Sequence, residues 1–287
     1  MIRLSVNALT SAMVLLKRLE TYNFSSLSEL SYSKIESISA EDIFAFSHNC
    51  GWVSENDNTL ILTKRGTGLL RLQEQGLLID LKRQMLIDYV LKAAPIWSNR
   101  IPYGRREATI FMSKDEKACF ADAGLLSGRL DPSIIDWWDT IANQIRAQAQ
   151  QSKNDTGRIG ERNTIKYERS RTNSEPMWMS VESNLAGYDI KSRMSKDDPD
   201  VLLIEVKAST FTLSQAVFHV TSHEWGVALT SASYVFHLWC LSGNKKLLAV
   251  ISPNDIQPYI PTNNLEGEWE SARIPFSCFE SKFIEIA

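Results

Sequence analysis

The chain has 287 residues, 44% of them hydrophobic and 23% charged, with a net charge of −3. That length supplies one large domain or two to three small ones, and the composition excludes disorder, collagen or a disulfide scaffold as a whole-chain reading. No apolar run reaches the roughly 18 residues that a membrane span requires, so no membrane partner is expected.

Residues 1–20 interleave polar with apolar side chains and read as an amphipathic helix, not a signal peptide. Cys50, Cys119, Cys240 and Cys278 are far apart and form no C-x-x-C pair. Reduced thiols in a cytoplasmic protein are the simple expectation. A charge of −3 gives no general attraction to nucleic acid, so any such attraction must be local. Residues 1–94 carry 10 basic and 10 acidic side chains, residues 95–152 carry 7 and 7, and residues 153–287 carry 14 and 17. The acidic excess therefore lies in the last segment.

Three segments are expected: 1–94, 95–152 and 153–287. In the first, Leu9, Met13, Leu16 and Leu19 recur at the spacing of one helical face. Ser39 precedes a second helix, with Asp42 three residues on and Ile43, Phe44 and Phe46 following. Two short apolar stretches, Trp52-Val53 and Leu60-Ile61-Leu62, flank a polar Asn/Asp turn and predict a hairpin. Helical periodicity resumes over residues 67–94 and stops at Pro95. Helices followed by a two-stranded wing suggest a mostly α-helical, winged-helix-like region. Its helix before the wing, EDIFAFSHNCG, holds no Lys or Arg. Protein docking or dimerisation is therefore expected there in preference to base reading.

Residues 95–152 read as a helical connector. Ser113-x-x-Glu116 has capping-box spacing, and Asp131-Pro132 supplies an N-cap and an N1 proline for a helix through Trp137, Trp138 and Ile141 to Ile145. The adjacent tryptophans are expected to anchor an inter-domain contact. AQAQQSKNDTG, residues 147–157, loses apolar periodicity, ends in turn formers and is taken as the boundary.

The chemistry concentrates in residues 157–240. GRIGERNTIKYERSR predicts a helix bearing Glu161. PMWMSVES, GYDIKSR and DVLLIEVKAS predict three strands, TSHEWGVALTS a helix and SYVFHLWCL a further strand. Side chains two apart on a strand share a face, so Glu205 and Lys207 project together while Val206 points into the apolar layer. Two charges at the end of an otherwise apolar strand are costly unless paired or occupied by a metal. Asp189 and Glu205 on neighbouring strands would make an oxygen-rich site suited to Mg²⁺. Such an ion would polarise a phosphoryl oxygen and lower the pKa of an attacking water, and a lysine ammonium would orient that water or stabilise transition-state charge.

These segments resemble a PD-(D/E)xK nuclease core, and more narrowly the NO VEIN C-terminal domain family. The residues that carry the resemblance are Gly157-x-x-Gly160-Glu161, Gly187-Tyr188-Asp189-Ile190-x-Ser192, Ile204-Glu205-Val206-Lys207 and Thr221-x-x-Glu224-Trp225. The resemblance covers residues 157–240 and implies an α/β (α+β) restriction-endonuclease-like core with a mixed sheet. It implies metal ligation by Asp189 and Glu205, with Glu161 as an auxiliary ligand or holding a metal-bound water, and Lys207 as the catalytic lysine. No proline precedes Asp189, a departure common in this divergent superfamily.

Plainer readings stand beside these. Asp189, Glu205 and Lys207 would also suit a buried ion pair at a strand end, which leaves Glu161 unexplained. Arg158, Arg162, Lys166 and Arg169 form one helical stripe, either a solvated face or a phosphate-tracking, nucleic-acid-binding ridge. Glu224 is expected to be a helix cap for Thr221 before anything else. His219 and His223 lack a nearby third ligand, which disfavours zinc, and His48 and His237 read as packing residues. No P-loop motif occurs.

The expectation is thus an Mg²⁺-dependent endonuclease, with Mn²⁺ as a substitute ion. It would hydrolyse phosphodiester bonds, of DNA before RNA, in a bacterial restriction or anti-phage defence system. Residues 1–152 would mediate a homodimer or hold a partner defence subunit. The alternative is a non-catalytic nucleic-acid-binding or assembly subunit that retains the nuclease fold.

Overall fold

Residues 3–22, 34–35, 38–56, 59–128, 131–182, 185–263 and 267–286 are described by a computed structural model. The chain divides into two units, Met1–Ala149 and Gln150–Ala287. Among the described residues no helix is long and apolar enough to cross a membrane.

In the first unit, helix α1 (Val6–Thr21) buries Leu9, Met13, Leu16 and Leu19, the stripe expected from their spacing. After a short antiparallel pair, β1 (Lys34–Ile35) and β2 (Ile38–Ser39), the Ser39 hydroxyl accepts from the Asp42 amide and starts α2 (Ala40–Asn49). Strands β3 (Val53–Asn56) and β4 (Thr59–Leu62) form the expected hairpin. Its turn, Asp57-Asn58, lies outside the described residues.

The single helix expected over residues 67–94 is instead two. Thr63 caps α3 (Lys64–Glu74) early, and α4 (Leu78–Lys92) follows a break at Gly76, whose φ of +74° suits a residue without Cβ. Buried Asp88 on α4 accepts from the Trp52 indole at 2.8 Å, the Arg65 guanidinium at 2.8 Å and the Gln84 amide at 2.9 Å. Three donors make its burial tolerable and tie the hairpin to the helices.

A 3-10 segment (Ile96–Tyr103), α5 (Arg105–Ile110) and α6 (Lys114–Asp122) follow, and Ser113 and Glu116 form the expected capping box. Helix α7 (Pro132–Thr172) then runs for 41 residues. Trp137 and Trp138 both pack against Phe120 inside the first unit's core, and the Trp137 indole donates to the Arg83 carbonyl, so they tie the expected connector to the expected first segment.

The division between the two units, Ala149 to Gln150, falls inside the boundary expected at residues 147–157, but the segment is helical there because α7 continues through it. Ala, Gln and Lys are good helix formers, and side-chain bonds from Gln150 to Asn154 (2.9 Å) and Gln151 to Asp155 (2.8 Å) replace the missing apolar contacts.

The second unit is built on a six-stranded mixed sheet. Its strands are β5 (Met177–Trp178), β6 (Ile190–Arg193), β7 (Val201–Ser209), β9 (Tyr234–Cys240), β10 (Leu247–Ile251) and β12 (Ile284–Glu285), in spatial order β12-β10-β9-β7-β6-β5. Only β7 and β9 run parallel. The strand expected over PMWMSVES stops at Trp178, where a helical turn, α8 (Met179–Glu182), replaces it. The cause is local: the amides of Met179 and Ser180 both donate to the Asp189 carbonyl and curl the chain around it.

Strand β8 (Val217–Thr221) pairs not with this sheet but with β11 (Ser271–Pro275). Helix α9 (Ser222–Thr230) follows β8, and α10 (Pro253–Ile256) follows β10. The molecule is therefore a mixed α/β protein, helical in its N-terminal half.

The sheet separates two apolar layers. Ile190, Ile204, Val206 and Trp239 pack with Ile165 and Tyr167 of α7 on one face. On the other, Phe236 and Leu238 pack with Phe218, Val220 and Trp225. Gly160 lets α7 approach closely: a Cβ there would lie 2.7 Å from the Ala208 Cβ and 3.2 Å from Val206 Cγ1.

Candidate active site

Alternation along β7 sends Ile204 and Val206 toward α7 and leaves Glu205 and Lys207 on the opposite face, as their spacing predicted. Asp189 sits one residue before β6. Its amide donates to the Ile204 carbonyl at 3.0 Å, and its Oδ2 accepts from the Val206 amide at 2.9 Å. The backbone of β7 thus fixes the carboxylate of Asp189 beside Glu205.

Lys207 Nζ donates to Glu205 Oε1 at 2.7 Å and to Glu224 Oε1 at 2.9 Å. All three side chains are mostly withdrawn from solvent. Thr221 and Glu224 form the expected capping box of α9. The sequence reading found that cap but not the second use of the same carboxylate. Nothing local signals it, because the contact joins residues 17 apart in the chain.

A cleft of about 260 Å³ opens onto Asp189, Glu205 and Glu224, with Ser180, Thr221 and His223 also lining it. Glu161 and Lys207 do not line it. Glu161 Oε2 accepts from Arg158 Nη1 at 2.8 Å, from the Trp178 indole and from the Ser180 hydroxyl. It is therefore joined to the cleft through Ser180.

Electrostatics follow from crowding three carboxylates and one ammonium out of water. Burial pushes Asp189 up to about 6, opposed by the Val206 amide and reinforced by Glu161. Burial raises Glu205 well above the usual carboxylate range despite Lys207, with Asp189 and Glu224 adding to the effect. Burial acts against the Lys207 ammonium, but Glu205 and Glu224 together outweigh it and raise its pKa. Glu224 is lowered because Lys207 and the Thr221 amide overcome its own burial. Strongly perturbed groups gathered at one cleft are a mark of functional sites.

Among the described residues no group of three or more His, Cys, Asp or Glu side chains is placed to hold a metal ion. Mg²⁺ does not require such a group, since it commonly takes one or two carboxylates and keeps several waters. Asp189 and Glu205 are hard oxygen donors at one cleft, and their pKa values are raised chiefly by burial, a cost to the charged forms that a bound cation would offset. The residues fit such an ion.

The basic stripe divides. Arg158 is committed to Glu161 and Ser180 and lies over the Trp178 ring at 5.6 Å, while Arg169 makes a two-bond pair with Glu175. Arg162 and Lys166 are exposed on α7. His223 Nε2 lies 3.1 Å from the Leu185 carbonyl, and His219 is exposed on β8. His237 is a buried packing residue with its pKa pushed down to about 4 by burial, whereas His48 is exposed and stacks on Phe44.

On the α7 face of the sheet lies a second polar cluster that the sequence reading missed. Buried Glu168 accepts two bonds from Arg171 (2.9 and 2.6 Å) and one from the Ser192 hydroxyl (2.6 Å). The available signal was helical spacing: Glu161, Thr164, Glu168 and Thr172 fall on one inward stripe of α7.

Residues 160–250 match the family model described as protein NO VEIN, C-terminal. The second unit carries a NO VEIN C-terminal domain. The matched span contains Glu161, Asp189, Glu205, Lys207 and Glu224, together with Glu168 and Ser192. No curated protein and no solved structure matches the chain.

Proposed function

We propose that the NO VEIN C-terminal domain is a divalent-metal-dependent nuclease that hydrolyses DNA phosphodiester bonds. Its core would be of the restriction-endonuclease-like kind. The observation that carries this reading is the meeting of Asp189 and Glu205 at one cleft, with Lys207 held beside them. Asp189 and Glu205 would hold Mg²⁺ or Mn²⁺, which when bound supplies Lewis acidity at a phosphoryl oxygen and a more acidic water.

The chain's own residues do the rest. The Val206 amide orients Asp189, the Lys207 ammonium offers its remaining N–H to charge developing on the phosphoryl group, and Ser180 links Glu161 to the cleft. Arg162 and Lys166 supply phosphate contacts. The N-terminal half, with its α2–β3–β4 order, is proposed as a winged-helix-like docking or dimerisation module. A cytoplasmic restriction or phage-defence setting is part of the proposal; free thiols at all four cysteines agree with a reducing compartment.

The test is incubation of plasmid with Mg²⁺ or Mn²⁺, comparing wild type with Asp189→Ala and Lys207→Ala. Cleavage by wild type alone is expected, and cleavage that survives both substitutions eliminates this site. One observation favours a second reading, a non-catalytic nucleic-acid-binding subunit: Lys207 is closed between two glutamates. That reading predicts salt-sensitive DNA binding with neither a cut product nor a metal requirement.

A further inference from the structure

We propose that Glu224 is a positioning residue, which takes its place from the α9 cap and fixes the Lys207 ammonium directly behind the cleft-lining carboxylates. The inference rests on the nuclease reading for its effect on rate, but its geometry stands independently. Glu224 uses its two oxygens for two tasks. Oε2 accepts from the Thr221 amide at 2.8 Å, while the Thr221 hydroxyl accepts from the Glu224 amide at 3.2 Å. Oε1 accepts from Lys207 Nζ at 2.9 Å.

A cap needs only the first of these, and glutamine serves in a capping box as well as glutamate does. The negative charge is needed only by the ammonium. Lysine carries that ammonium on a flexible four-carbon stem. A single partner on its own strand, Glu205 at 2.7 Å, fixes a distance but leaves the stem free to swing about it. A second partner on a different element removes that freedom and leaves one of the three N–H donors uncommitted to either glutamate. The Thr221 amide holds the carboxylate, and the carboxylate holds the lysine.

The experiment separates cap from position. Glu224→Gln keeps an amide oxygen for the Thr221 N–H and turns a neutral group toward Lys207, whereas Thr221→Val removes the reciprocal hydroxyl and leaves the carboxylate. With plasmid DNA and Mg²⁺, Glu224→Gln should lower kcat by about 100-fold, the cost of a misplaced catalytic group, with KM little changed. Thr221→Val should lower Tm and reduce kcat far less than Glu224→Gln does, because the backbone amide that holds Oε2 is kept. Adding Glu224→Gln to Lys207→Met should cost nothing further, since the two act as one unit.

The second readout needs no activity. In lysine ¹⁵Nζ spectra of the metal-free protein, the Lys207 ammonium, assigned by its loss in Lys207→Met, should be protected in wild type and Thr221→Val and lost or displaced in Glu224→Gln. A wild-type kcat for Glu224→Gln, equal losses of kcat in Glu224→Gln and Thr221→Val, or an unmoved ammonium signal overturns the proposal. If wild type cuts nothing, the nuclease reading fails, and the spectra alone decide whether Glu224 holds the lysine. Should Glu224→Gln fail to fold, Glu224→Ala is read in the same two ways.

Discussion

Replacing Asp189 by asparagine removes a carboxyl group whose burial lifts its pKa from an ordinary 3.8 to about 6, with Glu161 and Glu224 adding to the lift. The folded protein therefore keeps a proton that the unfolded chain releases across that window. Stability is greatest below the window and falls as pH rises through it. The fall totals about 3 kcal/mol at 1.36 kcal/mol for each tenfold change in proton affinity. An asparagine amide oxygen still accepts from the Val206 amide and carries no charge to desolvate. Removing Asp189 also relieves Glu205, which Asp189 helps to raise, and that effect has the same sign.

The assay is urea unfolding of wild type and Asp189→Asn in the presence of a chelator, from about pH 4 to about pH 8. The curves should meet at the acid end, and the variant should gain up to about 3 kcal/mol over wild type above pH 6. Saturating Mg²⁺ should raise wild type and not the variant, because an ion that binds the folded state adds its own binding free energy. Parallel curves, or a variant less stable than wild type at neutral pH, would refute the electrostatic account of the cleft.

Further outcomes are expected from substitutions on α7. Glu168→Ala strands the Ser192 hydroxyl and leaves Arg171 only the Arg193 and Met194 carbonyls, and should cost about 1–3 kcal/mol in urea unfolding. Gly160→Ala forces a Cβ to within 2.7 Å of Ala208 and should cost about 1–3 kcal/mol with a marked loss of cleavage. Gly157→Ala, with nothing within 4 Å, should be neutral or stabilise the helix by up to about 1 kcal/mol by thermal unfolding. Arg162→Ala with Lys166→Ala should weaken DNA binding and lower the salt slope by about 2. Arg169→Ala, already paired with Glu175, should change that slope less.

Where one short stretch of sequence decides the outcome, the fold was legible. Alternation in VLLIEVKAS placed Glu205 and Lys207 on the face away from α7, and the spacing of Ser113 with Glu116 and of Thr221 with Glu224 located two capped helix starts. Where distant groups compete, it was not. The strand expected after Pro176 gives way at Met179 because a carbonyl ten residues later captures two amides. Residues 147–157 look like a linker by apolar periodicity and are helical by propensity and side-chain pairing. The adjacent tryptophans gave no hint that Phe120 would cover both. The same limit applies to the site. Periodicity says which way a side chain points, but only the folded chain says that Glu224 meets Lys207 or that Asp189 is tied to Val206.

The two faces of β7 then explain why such a site persists in this sheet. Toward α7 every charge is matched: Glu168 has Arg171 and Ser192, Thr164 accepts from the Trp239 indole, and Gly160 brings the helix into contact with Val206 and Ala208. Toward the cleft, Asp189, Glu205 and Glu224 face a single lysine; the α9 cap accounts for Glu224 and the Val206 amide holds Asp189, but burial makes Glu205 unfavourable. Apolar side chains at 189 and 205 would remove that cost and leave the α7 face unchanged. On the proposed metal-dependent reading, a sheet held rigid by its α7 face would leave the carboxylates of the other face to a cation.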